Sequence, residues 1–460
     1  MTTDDNAWAP RSEDDIRTIP PRSWAAAARS GPHLGLWMSG AGVALFALVG
    51  ACAPNNNTLK ASTGWLHLPH LPGVLSVTAT LTAIALACLG TLRLLSAHQE
   101  GWSPDPRRIF GAGAVATIVI ANLTPVGSSD TASYAAYGRI AALGGDPYLT
   151  SPAHLGGTYA DLVGAAWRDA PSVYGPVATW WQAAAAYVGA DRPWLTIWVL
   201  MLANAAVFLG TGYLLIRTAD DPLRAALLWS ANPLLIGLMV AGGHLDTLVA
   251  CLAVCAARIA TRTTGRTVRT VWHHDLLAGA LVGLACGVKI SAALLGAGLA
   301  WPLLRSGAWL RAALQAAAAA LTLVLLYGFY GTHALAPLSA ASHQVSRPSA
   351  WAVFERYATA LLGHGAASAL IGLLWPLLML ALASVLRRRV PADTPAAGAV
   401  PFALAFAWIL TAPWSMPWYA AFAWALAAMF QQGRRLTQGL VVTTAVMALF
   451  HSGGGHGWMA

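Results

Sequence analysis

"YGPVATWWQAAAAYVGAD", Tyr174 to Asp191, decides how this chain is threaded. The stretch is apolar enough to enter a bilayer, yet it opens with Pro176 in a first-turn position and carries two adjacent tryptophans. Either it crosses the membrane, or it lies along the surface with Trp180 and Trp181 at the interface. The two readings put every later loop on opposite sides, so the positions of Lys and Arg elsewhere choose between them.

That a membrane is involved follows from composition. Of 460 residues, 57% are hydrophobic and 10% charged, and mean hydropathy is +0.57. Soluble domains carry about 25% charged residues, so a water-soluble fold is excluded. Apolar runs near the ~20 residues that span a bilayer recur along the chain. The candidate spans are 33–53, 74–97, 109–125, 194–217, 224–240, 245–260, 275–288, 290–304, 309–330, 363–386, 398–412, 416–430 and 436–451. They make thirteen crossings of an all-α polytopic protein, starting in the cytoplasm, and several are short, as for helices that stop at a cavity.

With 174–191 lying flat, twenty of the 27 basic residues face the cytoplasm. They comprise four in the N-terminal tail, Arg93, Arg107, Arg108, Arg217, Arg224, the four in "RIATRTTGRTVR" (258–269), Arg305, Arg311, Arg387 to Arg389, Arg434 and Arg435. If 174–191 crossed, the 258–269 loop and the triple arginine would lie outside, against the positive-inside rule. The segment therefore lies flat, and the formal charge of +9 reflects topology, not a nucleic-acid footprint. Lys60, Arg139, Arg168, Arg192, Lys289, Arg347 and Arg356 stay on the outer side, where that rule does not account for them.

Residues 1–32, polar and Pro-rich with both charge signs, read as a disordered cytoplasmic tail without a signal-peptide layout. Residues 33–451 form a single transmembrane domain, and 452–460 a short outer tail. Two large outer loops are expected, 126–193 with two amphipathic helices, and 331–362. Short outer turns carry "GGHLD" (242–246), "VKIS" (288–291) and "APWSMPWY" (412–419). The five cysteines (Cys52, Cys88, Cys251, Cys255, Cys286) lie in apolar runs without nearby His or carboxylate partners, so they read as small core residues, with neither disulfide nor zinc.

Asp130, in "GSSDTASYAAYGRIAALGGDPYLTSP" (127–152), fits two roles. It can favour the start of the following helix, with Ser128 or Ser129 as cap, or it can be a base facing an outer cavity, with Tyr134, Tyr137 and Arg139 at hand. An ionisable group near hydrocarbon is costly, which favours a use for it. "GGDPY" (144–148) is a turn whose Asp146 is a second candidate for substrate contact. His244 and Asp246 sit at the outer end of a span, as a helix cap or as site residues. Lys289 interrupts an otherwise uncharged double span and needs an anion to keep its proton, so it is a contact for phosphate or carboxylate. Arg347 and Arg356 suit bidentate phosphate binding, though Arg356 equally pairs with Glu355. Trp418 and Tyr419 suit an interfacial belt or a stacking surface for sugar or lipid. Carboxylates, cations and aromatics together suit a substrate with a lipid tail, a phosphate and a polyol.

"SSDTASYAAYGRIAALGGDPY", "YGP", "GGHLD" and "PWSMPWY", in this order between 128 and 419, resemble the polyprenol-phosphomannose-dependent α-(1→6)-mannosyltransferases of actinobacteria, members of the GT-C superfamily. Leu245 stands where that family more often has a polar residue. The resemblance implies a GT-C fold in the plasma membrane with an extracytoplasmic site. Asp130 would be the general base of an inverting transfer from polyprenyl-phosphomannose to a mannoside or glycolipid. Tyr134, Arg139, Asp146, Tyr148, Tyr174, His244, Asp246, Trp418 and Tyr419 would bind substrate, and Lys289, Arg347 and Arg356 the leaving phosphate. No nucleotide motif or metal-ligand cluster is visible, so a metal-independent enzyme with a lipid-borne donor is expected. Another polyprenyl-phosphate sugar is the alternative donor. A lipid or sugar transporter is the rival class, although the repeated halves common in transporters are missing from the sequence.

Overall fold

The structure, a computed structural model, describes residues 22–346 and 349–452, with side chains from Gly31 onward. Residues 1–21 of the expected tail, Arg347 and residues 453–460 of the expected outer tail lie outside the described residues. The described chain is helical throughout, with no strand beyond an isolated bridge between Thr58 and Val126.

The chain rises and falls as successive helices. The first are α1 (Arg22–Ala51), which begins ahead of position 33, α2 (Gly73–Gln99) and α3 (Pro106–Ala121). A long connection then holds α4 (Asp130–Ala142) and α5 (Pro176–Gly189). Next come α6 (Pro193–Thr218), α7 (Pro222–Val240), α8 (Asp246–Arg262), α9 (Val268–Val288), α10 (Ala293–Arg305) and α11 (Trp309–Tyr330). A second connection holds α12 (Ala350–Leu362), followed by α13 (His364–Arg389), α14 (Ala396–Thr411), α15 (Ala421–Met429) and α16 (Arg434–Ser452). Among the described residues, seven helices are long and apolar enough to cross a membrane: α1 (from Gly31), α2, α6, α7, α9, α11 and α13. Two shorter apolar helices, at 290–305 and in α14, accompany them. This is a polytopic all-α membrane protein. At 14 residues, α5 falls short of the ~20 needed to span.

Contacts between connections sort them onto two ends of the bundle, in the same division that the arginine count gives. At one end, Val126 N–H donates to Ala241 O (2.8 Å), Gly127 N–H to Asn57 O (2.8 Å), Gly175 N–H to Val288 O (3.2 Å) and Ser346 N–H to Pro413 O (2.9 Å). At the other end, His98 meets Asp221 (2.7 Å), Arg224 donates to Ala427 O (2.6 Å) and Arg311 donates to Thr263 O (2.9 Å). The arginine-bearing connections near 93–108, 217–224 and 258–269 lie in the second set, and the one after Arg387–Arg389 joins it where Thr394 Oγ1 donates to Gln431 O.

Two local devices shape the first end. The last turn of α7, Ile236–Val240, is a π-helix, where Asn204 Nδ2 of α6 donates to Met239 O at 2.6 Å. Such a widened turn arises when a side chain takes part in the carbonyl ladder, and it often marks a functional site. The flat pair α4 and α5 packs through Gly138, where a Cβ would lie 2.3 Å from Gln182 O. Elsewhere in the bundle, α15 is buried on every side, as its uniformly apolar sequence requires.

Candidate active site

Asp130 opens α4, which starts at this end because Ser128 Oγ accepts the Asp130 N–H at 3.1 Å. Of the two serines expected as caps, Ser128 makes this bond, while Ser129 makes no side-chain cap. The Asp130 side chain is 21% exposed. Tyr134 Oη donates to its Oδ2 at 3.4 Å, and His244 Nδ1 lies 3.3 Å from the same oxygen. Tyr137, expected as another local partner, turns elsewhere: its Oη donates to Ala170 O at 2.9 Å.

The "GGHLD" turn brings His244 to this place directly after the π-turn. Gly243 has φ +65°, and a Cβ there would lie 2.5 Å from Thr131 Cγ2, so the turn can rest on the first turn of α4 only as glycine. The His244 ring is buried and lies face to face with Trp418, with centroids 3.7 Å apart and planes at 11°. Asp246 opens α8, but its carboxylate does not cap that helix: both oxygens lie 3.0 Å from Lys289 Nζ. The ammonium also sits 3.6 Å from the centre of the Tyr419 ring, and Trp408 stacks on that tyrosine (5.3 Å between centroids, planes at 6°). Tyr174 meets Tyr134 edge to face at 5.1 Å. A narrow crevice lined by Phe46, Ile84 and Leu238 reaches His244 and Trp418.

Burial pushes the Asp130 carboxyl up, but the His244 contact and charge, with Lys289 and His451, outweigh it and hold the group below the ordinary aspartate range. Burial pushes the Tyr134 and Tyr174 phenols well above theirs, so both remain neutral donors. Burial alone would lower the Lys289 ammonium; Asp246, Tyr419 and Asp130 raise it, so it stays charged.

The structure therefore brings together Asp130, Tyr134, Tyr174, His244, Asp246, Lys289, Trp418 and Tyr419. The other expected site residues lie elsewhere. Arg139 pairs with Asp191, just beyond the end of α5. Asp146 Oδ1 accepts the Tyr148 N–H (2.8 Å), its Oδ2 meets His333 (2.7 Å), and Tyr148 Oη bonds Thr179 Oγ1 (2.9 Å). Arg356 is exposed on α12, and Arg347 lies outside the described residues. Sequence reasoning missed His451, whose ring meets the Trp418 ring edge-on at 4.9 Å and whose Nε2 lies 3.1 Å from Gly127 O. Its signal was its place at the end of the last span, equivalent to that of His244 and Lys289 at theirs. Asn57, which accepts the Gly127 N–H through its carbonyl and so fixes the approach to Asp130, carried no signal beyond a polar run.

These features define a polytopic membrane protein with a carboxylate-centred polar site at one end of its helices. Residues 33–305 match the family described as alpha-(1->6)-mannopyranosyltransferase, N-terminal domain, and the chain belongs to that family. It is 29% identical over 209 residues to a probable alpha-(1->6)-mannopyranosyltransferase of Mycolicibacterium smegmatis, covering 43% of this chain and 36% of that protein. It is 26% identical over 204 residues to an alpha-(1->6)-mannopyranosyltransferase of Mycobacterium tuberculosis, covering 43% of this chain and 34% of that one. The matched stretch thus spans about a third of the length of either relative. No solved structure matches the chain.

Proposed function

We propose that this chain transfers a mannosyl residue from polyprenyl-phosphomannose to a mannoside or glycolipid acceptor on the outer face of the membrane, with inversion and with Asp130 as general base. The observation that carries this reading is the Asp130 carboxylate, 21% exposed and contacted on one oxygen alone among the described residues. The site end is taken as extracytoplasmic because the arginine-rich connections gather at the other end.

In this reading the acceptor hydroxyl donates to the free oxygen of Asp130 and gives up its proton as it attacks the anomeric carbon. The bond from that carbon to the phosphate oxygen breaks, and its electron pair leaves with polyprenyl phosphate. Lys289 supplies positive charge as the phosphate departs, held in place by Asp246 and the Tyr419 face. Arg356, exposed on α12, is the second connection's candidate for the phosphate.

The test is a donor screen. Membranes containing the chain are given polyprenyl-phosphate mannose, glucose or arabinose separately, with an α-mannoside acceptor, and products are read by mass spectrometry. Product from the mannosyl donor alone is expected. Turnover with a different donor reassigns the sugar, and no turnover combined with substrate flux in vesicles replaces the enzyme with a transporter.

A further inference from the structure

The two oxygens of Asp130 are not equivalent. Tyr134 Oη and His244 Nδ1 both converge on Oδ2, at 3.4 and 3.3 Å, and Oδ1 has no protein contact of this kind among the described residues. Two contacts on one oxygen hold the carboxylate in a fixed rotation only if the contacting groups are themselves fixed. His244 is: its ring is 1% exposed and lies flat on Trp418. Trp418 is wedged in turn by the edges of Tyr419 and His451. On the other side, a Cβ at Gly242 would lie 2.5 Å from His244 Nε2, so the turn leaves no room for the ring to swing. His244 Nδ1 is buried and makes no hydrogen bond of good geometry among the described residues; Asp130 Oδ2, at 3.3 Å, is the carboxylate oxygen it faces.

We propose that His244 is a positioning residue for the transfer: its Nδ1–H, clamped by Trp418, holds Asp130 Oδ2 so that Oδ1 faces the acceptor hydroxyl. The proposal rests on the reading of Asp130 as the base. Its charged and titratable surroundings are Tyr134 and Tyr137 from α4, Tyr174 before α5, Asp246 at the start of α8, Lys289 after α9, Tyr419 before α15 and His451 from α16.

The test compares side chains that can and cannot donate from the Nδ1 position, using the full chain in membranes with polyprenyl-phosphomannose and a mannoside acceptor. His244→Leu is expected to lower kcat about 100-fold, as misplacement of a reacting group does, with KM for either substrate changed by less than about threefold. The acid limb of its kcat profile should move to higher pH, because a donor to the carboxylate is gone. His244→Asn places its amide near the Nδ1 position and should recover at least about tenfold of that loss. His244→Gln, which reaches toward Nε2 instead, should behave like Leu. Equal activity of Asn and Gln at matched folded amounts overturns the proposal even where the Leu variant fails to fold, as does an acid limb that is unmoved in the Gln variant. An inactive Asp130→Asn beside normal His244 variants removes this proposal alone, whereas an active Asp130→Asn removes the base itself.

Discussion

Two groups of charged side chains lie at opposite ends of the bundle, and they are built differently. At the arginine-rich end, Arg311 donates from Nε and Nη2 to both oxygens of Asp275 (2.7 and 2.9 Å) and from Nη1 to Thr263 O (2.9 Å), while Gln315 adds a bond to Asp275 (3.0 Å). Both charges are almost wholly buried, at 6% and 1% exposure, and their bonding capacity is used. At the other end, Asp130 is more exposed, its contacts are longer, and one oxygen is left open among the described residues. A group that only holds helices together satisfies its members; a group that meets a substrate keeps capacity in reserve.

That contrast can be broken. Arg311→Met strands Asp275 in the interior and is expected to cost about 3–5 kcal/mol, seen as a lower melting temperature in detergent and a poor yield of folded protein. Lys289→Met leaves Asp246, itself 7% exposed, without its cation and should also lower the melting temperature, but unlike Arg311→Met it should lower transfer about 100-fold at matched amounts of folded protein, as loss of one charge-stabilising donor does. Unchanged transfer at matched folded amounts would class the Lys289–Asp246 pair with the structural clamp. The pH profile comes next. Because Asp130 is held below the ordinary aspartate range, its base form persists above that depressed value, and transfer is lost as pH falls through it. An acid limb above the range of ordinary aspartates would contradict the site's electrostatics. Arg139→Ala, which removes an ion pair with the largely exposed Asp191, should change stability by less than about 1 kcal/mol and leave kcat near normal.

Seven of the thirteen expected spans coincide with helices long and apolar enough to cross, because hydropathy acts over each segment by itself, and the two ends were legible because arginine marks one of them. The flat reading of 174–191 drew on the whole chain's charge, and the helix within it has 14 residues. Asp130, His244, Asp246 and Lys289 stood out because polar residues beside hydrocarbon are costly wherever they occur. Their partners did not, since those depend on packing: Asp146 meets His333 across 187 positions, and His451 reaches Gly127 across 324. Nor did the sequence announce the π-turn at Ile236–Val240, which depends on Asn204 from another helix.

The account depends most on Asp130 as the base. The direct measurement is mannosyl transfer from polyprenyl-phosphomannose by Asp130→Asn protein, at matched amounts of folded chain in membranes. The account predicts a fall of at least about a hundredfold with an unchanged melting temperature. Transfer close to that of the unaltered chain would contradict it.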